Sequence, residues 1–191
     1  MEQINTFLMV GRPGSGKGTQ AALLAKKISA PMFSTGNEFR SLAAGGTYLG
    51  GRLKSAMERG ELLPHWLASY TFEKVLFGLA PEDKIVFEGA CRTGPEAELL
   101  HEISLWLPRP YKAVYLRISE EEAWKRLSLR QKESGRADDG ETAIRLRFEE
   151  YKKKNETVIK YFSAVGTLVE INGEKTVEEV HADVIKALGL S

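Results

Sequence analysis

The sequence has very little cysteine, no excess of charge of either sign and no long run of apolar residues. Cys91 is the only cysteine among 191 residues, so it cannot form an internal disulfide or a thiolate zinc cluster, which favours a reducing compartment. The 27 basic and 26 acidic residues give a net charge of +1, so no overall field attracts the chain to nucleic acid or to an anionic membrane. The longest uncharged stretches reach about half the length of a membrane-spanning helix, and no basic region precedes the first apolar run. We therefore expect a cytoplasmic protein without nucleic-acid or membrane partners, in which any anion site is built locally.

The length and the apolar pattern predict one domain of the α/β class. With 42% hydrophobic residues, a chain of this size can bury a core without a metal or a disulfide. Short apolar runs typical of strands lie at residues 4–10, 84–87, 113–118 and 168–171, and helical patterns separate them. Strands that alternate with helices favour a parallel sheet with crossover helices, and near-continuous apolar runs suit strands covered on both faces.

Two segments interrupt this alternation. Thr35 and Glu38 have the spacing of a capping box, so a helix should begin there. Four glycines between residues 45 and 51 then favour several short helices across residues 35–80 in place of one long helix. Residues 131–140 lose the apolar stripe and are rich in Gly, Asp and Arg, which predicts a mobile loop before a long helix.

Residues 11–19, with the sequence GRPGSGKGT, predict a phosphate-binding loop. They follow the first predicted strand and open the first predicted helix, which is the context that makes this motif meaningful. The glycines allow successive backbone N–H groups to surround an anion, and the helix N-terminus and Lys17 add positive charge. The natural ligand is a triphosphate, held by Gly14, Ser15, Gly16, Lys17, Gly18 and Thr19. Because Gly18 stands where a general phosphate loop has Ser or Thr, Thr19 is the candidate hydroxyl for a magnesium shell.

Further motifs follow in order along the chain. They are Ser34-Thr35-Gly36 with Arg40, GELLP at 60–64, EGACRT at 88–93, Arg126, Arg130, Arg145 and Arg147 around GRADD at 135–139, and Asn172-Gly173-Glu174-Lys175. Together with the phosphate loop, this series resembles the adenylate kinases over nearly the whole chain. The resemblance implies a P-loop three-layer sandwich with a parallel five-stranded sheet, forming a single kinase domain over residues 1–191. It also implies that residues 35–80 form a helical insertion that binds the nucleoside monophosphate, and that residues 131–140 form a short lid without zinc.

The resemblance further implies the reaction and its residues. A monomer would move the γ-phosphoryl group of Mg-ATP to AMP, giving two ADP. The catalytic residues would be Lys17, Arg92, Arg130, Arg136 and Arg147. The phosphate loop, Arg126 and Lys175 would bind ATP. AMP would be bound by Thr35, Gly36, Arg40, Leu63, Gly89, Arg92, Glu96, Arg136 and Arg147.

The chemistry of arginine agrees with these roles. Phosphoryl transfer gathers many negative oxygens, and the planar guanidinium group binds phosphate with two parallel hydrogen bonds. Arg126 and Arg130 are four residues apart on a predicted helix and share a face, although Arg126 could instead form a surface pair with Glu122. Arg145 and Arg147 are two apart and cannot share a face; by resemblance Arg147 is catalytic, and Arg145 faces solvent or an acidic partner.

Glu88 is a candidate for contact with magnesium. It ends the apolar run 85–87 and should therefore lie at the carboxyl edge of the sheet, where ligands collect in open α/β folds. The family usually has aspartate here. The longer side chain favours contact with water molecules bound to magnesium over direct ligation.

The acceptor side departs from the family pattern. Glu96 stands where the family has a glutamine that both accepts from and donates to adenine. An ionised carboxylate only accepts, which suits the two adjacent donors of guanine and opposes N1 of adenine. We therefore consider an acceptor preference that is altered toward GMP or relaxed. The alternative is that Glu96 turns away and backbone groups near Gly89 still select adenine. Family aspartates are replaced by Asn37 and His65, and a Phe-Pro pair by Ala90-Cys91.

Two other functions stay open at this point. A small-molecule kinase would share the phosphate loop, but the Thr35, Arg40 and lid motifs would then be coincidental. A P-loop ATPase that acts as a switch or assembly factor is the alternative from another class, although the sequence has no Asn-Lys-x-Asp motif of guanine-type switches and no basic stripe for RNA. Release of phosphate without an acceptor would favour the switch.

Overall fold

A computed structural model describes residues 3–59, 61, 63–134 and 140–190. In these residues five parallel strands form one sheet with the order β2-β3-β1-β4-β5. The strands are β1 (Thr6–Val10), β2 (Met32–Ser34), β3 (Ile85–Glu88), β4 (Tyr111–Arg117) and β5 (Leu168–Asn172). This arrangement confirms the predicted α/β class and parallel sheet.

The helices described in the structure cover both faces of the sheet. They are α1 (Lys17–Lys27), α2 (Thr35–Ala44), α3 (Tyr48–Glu58), α4 (His65–Phe77), α5 (Gly94–Trp106), α6 (Glu120–Ser134), α7 (Glu141–Ala164) and α8 (Val177–Ala187). Successive residues of β1 point to opposite faces: Leu8 packs in a cluster with α4, α5 and α7, and Phe7 and Met9 pack in a second cluster with α1 and α8. Every residue of β1 is buried, which explains why its sequence is a continuous apolar run.

Helices α2, α3 and α4 build a third apolar cluster beside the sheet. Its buried members are Phe39, Leu53, Leu67 and Ala68. The segment 35–80 therefore contains several short helices, as its glycines predict. That the segment 35–80 binds the acceptor nucleotide stays a prediction.

Three details of the secondary structure differ from the sequence-based expectation. Strand β2 was not among the predicted runs, because it has three residues and lies at the edge of the sheet. Helix α2 begins at Thr35, but its N-cap is Ser34, whose Oγ accepts from the backbone N–H of Asn37 at 3.3 Å. Residues 131–134 are helical, because α6 continues through Ser134; the remaining part of the predicted loop, 135–139, lies outside the described residues.

Of the helices in the described ranges, none combines the length and the apolar character needed to cross a bilayer.

Candidate active site

A cavity opens at the carboxyl ends of β1, β2 and β3. It has a volume of about 580 Å³. The crossover connections after these strands place the phosphate loop and the starts of α1, α2 and α5 around one opening, and α6 and α7 close the other side. The residues predicted from sequence that line this cavity are Gly14, Gly16, Lys17, Gly18, Thr19, Thr35, Gly36, Arg40, Leu63, Glu88, Gly89, Arg92, Glu96, Arg126, Arg130 and Arg147.

The phosphate loop turns sharply between β1 and α1. Gly14 and Gly16 have φ angles of 84° and 86°, in the left-handed region that favours glycine. Gly16 is the N-cap of α1 and offers no side chain to the first-turn N–H groups, and that first turn contains no acidic residue. The helix N-terminus is thereby suited to an anion. A Cβ at Gly14 would lie 2.8 Å from the carbonyl oxygen of Ala123, so this glycine also lets the loop rest on α6.

Lys17 lies at the centre of the charged part of the cavity. Its Nζ donates to the carbonyl oxygens of Gly11 at 2.7 Å and Arg12 at 2.8 Å, which holds the amine over the loop. Burial lowers the pKa of Lys17 to about 7; the charge of Glu88 acts in the opposite direction, and nearby guanidinium groups lower it further. These groups belong to Arg92, Arg147 and Arg130.

The guanidinium groups near Lys17 come from three separate elements. Arg92 follows β3, Arg130 lies on α6 and Arg147 lies on α7. Arg92 Nε donates to the carbonyl oxygen of Gly89 at 3.0 Å. Gly89 has a φ of 79°, and a Cβ there would lie 2.9 Å from Arg92 Nη2, so glycine is needed for both the turn and the arginine. The predicted convergence of basic side chains in one cleft is therefore present.

Glu88 is the acidic member of this group. It ends β3, as predicted, and its Oε2 accepts from Ser34 Oγ at 2.6 Å. Burial alone would raise the pKa of Glu88, but the charge of Lys17, the Ser34 hydrogen bond and the charges of Arg92 and Arg40 together hold it below its usual value. Glu88 is thus an ionised carboxylate beside the Lys17 amine.

The far end of the cavity is mostly apolar. Phe39, Met57, Leu63 and Ala68 line it and all belong to the cluster of α2, α3 and α4. Thr35 also lines the cavity; its Oγ1 is buried and has no hydrogen-bond partner in the described structure. A buried hydroxyl without a partner is costly, so a polar ligand atom would satisfy it.

Glu96 is a buried carboxylate in the lining of the same cavity. The residue is 1% exposed and occupies the first turn of α5. Its Oε2 accepts from the backbone N–H of Arg92 at 3.0 Å, and Oε1 accepts from Thr93 Oγ1 at 2.8 Å. Glu96 therefore lines the cavity while it also satisfies donors at the start of its own helix.

Some predicted ligand residues have other contacts. Arg126 fits both interpretations that the sequence allows: it lines the cavity, and its Nε lies 2.6 Å from Glu122 Oε1. Its Nη1 also donates to the carbonyl oxygen of Gly173 at 2.9 Å. Lys175 does not line the cavity and pairs with Asp183 at 2.6 Å. Ser15 is buried outside the lining, and Arg136 lies outside the described residues.

Sequence reasoning missed a polar group on α7. Glu150, Tyr151 and Asn155 line the cavity. Asn155 Nδ2 donates to Tyr151 Oη at 2.6 Å, and the guanidinium carbon of Arg12 lies 5.3 Å from the centre of the Tyr151 ring. The spacing of four residues from Arg147 to Tyr151 and again to Asn155 puts all three on one helix face, and this signal could have found them.

Comparison with known proteins gives matches over most of the chain. The family model described as adenylate kinase matches residues 9–167. An adenylate kinase of Thermus thermophilus is 36% identical over 191 residues, covering 100% of both chains. An adenylate kinase of a Synechococcus species is 35% identical over 184 residues, covering 96% of this chain and 98% of the relative. One from Bacteroides fragilis is 34% identical over 190 residues, covering 95% and 97%.

Proposed function

The chain belongs to the adenylate kinase family of nucleoside monophosphate kinases, and from its cavity we propose that it moves the γ-phosphoryl group of Mg-ATP to AMP. The products are two ADP molecules. The proposal includes the site residues named from the sequence, each with its role.

The observation that carries the proposal is the grouping of four cationic side chains in one cavity. Arg92, Arg130 and Arg147 each act on Lys17 strongly enough to lower its pKa. Like charges held this close repel one another, and the chain as a whole has a net charge of only +1. The repulsion is offset when the cavity holds a ligand with several negative charges, such as two phosphorylated nucleotides.

The geometry suggests a division of the cavity between donor and acceptor. The donor triphosphate takes the phosphate loop, where Lys17 and the N-terminus of α1 contact its terminal oxygens. The acceptor phosphate lies against Arg92 and Arg40, which both line the cavity and lie close enough to Glu88 to lower its pKa. The acceptor base then lies among the apolar side chains of α2, α3 and α4.

Catalysis in this arrangement is positioning and charge neutralisation. Arg130 and Arg147 surround the oxygens of the group in transfer, and Arg136 would join them from the segment outside the described residues. A single well-placed arginine is worth about a thousandfold or more in rate for this kind of reaction. Closure of a lid over the donor would exclude water and so favour transfer over hydrolysis.

We assign magnesium to the substrate Mg-ATP. Mg²⁺ usually keeps several water ligands and is held through substrate phosphates and one or two carboxylates. Glu88 and Thr19 both line the cavity beside the phosphate loop and fit a role toward magnesium-bound water or the ion itself. The ion neutralises phosphate oxygens as the bond to the leaving group lengthens.

A coupled assay tests the proposal. We expect ADP to form from ATP only when a nucleoside monophosphate such as AMP is supplied. Replacing Arg147 with alanine should lower kcat by about a thousandfold. The matched control is Arg145→Ala two residues away, because Arg145 pairs with Glu141 at 2.8 Å and lies over the Trp124 ring. Phosphate release without AMP, or equal losses in the two variants, would contradict the proposal. The cytoplasmic location and monomeric state stay predictions.

A further inference from the structure

The cavity has two chemically different ends, and this fixes the direction in which an acceptor nucleotide lies. One end holds Lys17, Arg92, Arg130 and Arg147. The other end is lined by the apolar cluster of α2, α3 and α4. A nucleoside monophosphate has one strongly anionic end and one flat, largely apolar base, so its base belongs at the second end.

Glu96 is a buried acidic side chain in the cavity lining, and it lies close enough to His65, at the start of α4, to feel its charge. Its two oxygens each accept one hydrogen bond, from Arg92 N–H and from the Thr93 hydroxyl. An ionised carboxylate has about four acceptor positions, so one position on each oxygen is left for a ligand. The hydrogen bonds at the start of α5 hold the carboxylate in place, and each of its oxygens keeps acceptor capacity for a ligand.

The edges of the two purine bases differ at the atoms that these two oxygens would meet. Guanine presents two donors side by side, the N1–H group and the exocyclic amine. Adenine presents one donor, its exocyclic amine, beside the N1 acceptor. Two acceptors match guanine and oppose adenine N1, whereas a protonated carboxyl group accepts through one oxygen, donates through the other and matches adenine.

We propose, resting on the function proposed above, that the Glu96 carboxyl group reads the acceptor base, so that its ionised form favours GMP and its protonated form favours AMP. Acceptor preference then depends on pH. This goes beyond a fixed preference for either base.

The groups around Glu96 shift its pKa in opposite directions. Burial raises the pKa of Glu96, whereas the hydrogen bonds from Arg92 N–H and Thr93 and the charges of Arg92 and His65 act to lower it; the net shift is upward. His65 approaches from the start of α4, and Arg92 from the turn after β3. The Cys91 thiol also faces Glu96, and burial raises the pKa of that thiol, so it stays neutral.

The test is the ratio of kcat/KM for GMP to kcat/KM for AMP, measured with saturating Mg-ATP from about pH 4.5, the ordinary pKa of a glutamate carboxyl group, to about pH 8.5. The phosphate groups of the two acceptors and the catalytic cations titrate alike in both assays, so their effects cancel in the ratio. We expect the ratio to rise about tenfold or more with increasing pH in the unaltered protein. In Glu96→Gln, whose amide both donates and accepts at every pH, the ratio should be low and constant. The control Glu98→Gln removes an exposed carboxylate from the same helix and should keep the wild-type profile.

The outcomes separate the two proposals. A ratio that does not change with pH in the unaltered protein, or a profile in Glu96→Gln equal to that of the unaltered protein, overturns the role of Glu96 while diphosphate formation still supports the kinase. Failure to form a diphosphate from either acceptor overturns the proposed function and this inference with it. The wild-type profile decides the matter even if Glu96→Gln does not fold.

Discussion

The depressed pKa of Lys17 predicts that ATP binding takes up a proton. In the protein alone, burial and three guanidinium groups lower this pKa to about 7. A bound triphosphate places several negative charges beside the amine, so the charged form becomes strongly favoured. The perturbation that isolates the effect is Lys17→Arg, because a guanidinium group stays charged in both states.

The size of the effect follows from the pKa. At pH 8, one unit above it, about one tenth of Lys17 carries a proton before binding. If the bound form is fully charged, about 0.9 proton is taken up per ATP. The phosphates of preformed Mg-ATP are already ionised at this pH, so they add little to the change. Lys17→Arg should take up close to none.

Isothermal titration calorimetry in two buffers of different protonation enthalpy measures this uptake directly. The control Lys160→Arg makes the same replacement at an exposed lysine that pairs with Glu156 outside the cavity, and its uptake should equal that of the unaltered protein. The reasoning is refuted if the unaltered protein takes up less than about 0.2 proton, or if Lys17→Arg takes up as much as the unaltered protein.

The low pKa of Lys17 also predicts how stability depends on pH. Between about pH 7 and pH 10.5 Lys17 is protonated in the unfolded chain and largely deprotonated in the folded protein. The free energy of unfolding should therefore rise with pH in this window.

Three further predictions concern stability and are read by urea unfolding. Gly14→Ala should lower the free energy of unfolding by about 1–3 kcal/mol, because the new Cβ would meet the Ala123 carbonyl oxygen. The control Gly18→Ala places a Cβ where no described atom lies within 4 Å and should change stability by less than about 1 kcal/mol. Equal losses of stability in the two variants would show that the contact with α6 is unimportant. Arg109→Met should cost about 2–4 kcal/mol, because this buried guanidinium group donates to two carbonyl oxygens and a hydroxyl group; an unchanged midpoint would contradict that accounting. Thr176→Ala should cost about 1 kcal/mol by removing the capping box of α8 and should leave kcat unchanged, and a loss of activity would count against a purely structural role.

The parts of the fold that the sequence predicts are those that bury a regular pattern. Strand β1 is buried along its whole length, so its apolar run is unambiguous. Residues 131–134 continue α6, but Gln131 and Lys132 are exposed polar residues, and the sequence there has no apolar stripe to detect. Strand β2 is too short and too near the sheet edge to show a pattern.

The start of α2 shows a different limit. Ser34 and Thr35 are both good capping residues, and the spacing from Thr35 to Glu38 fits a capping box. In the structure the N-cap is Ser34, whose Oγ accepts from the Asn37 N–H group and also donates to the Glu88 carboxylate. This second contact crosses from β2 to β3 and depends on their pairing, which local sequence does not contain.

The same distinction explains why the donor side of the site is more predictable than the acceptor side. The phosphate loop is one contiguous segment whose backbone supplies the chemistry, so its glycines and Lys17 are visible in nine successive residues, 11–19. The acceptor end is assembled from α2, α3, α4 and the turn before α5, and its apolar members look like ordinary core residues in sequence.

Glu96 is hard to assign from sequence, because the same residue accepts hydrogen bonds from donors at the start of α5 and lines the cavity. Its backbone-directed bond to Arg92 fixes the side chain without reference to any ligand, so the orientation of its remaining acceptor positions comes from helix capping. A glutamine at this position can still accept from Arg92 N–H and can donate to the Thr93 hydroxyl, so the helix start survives the exchange while the pattern offered to the base changes. Exchange between Gln and Glu therefore changes the hydrogen-bonding groups at this residue at little expense in stability, which is the physical basis for the proposal that Glu96 affects the choice of acceptor.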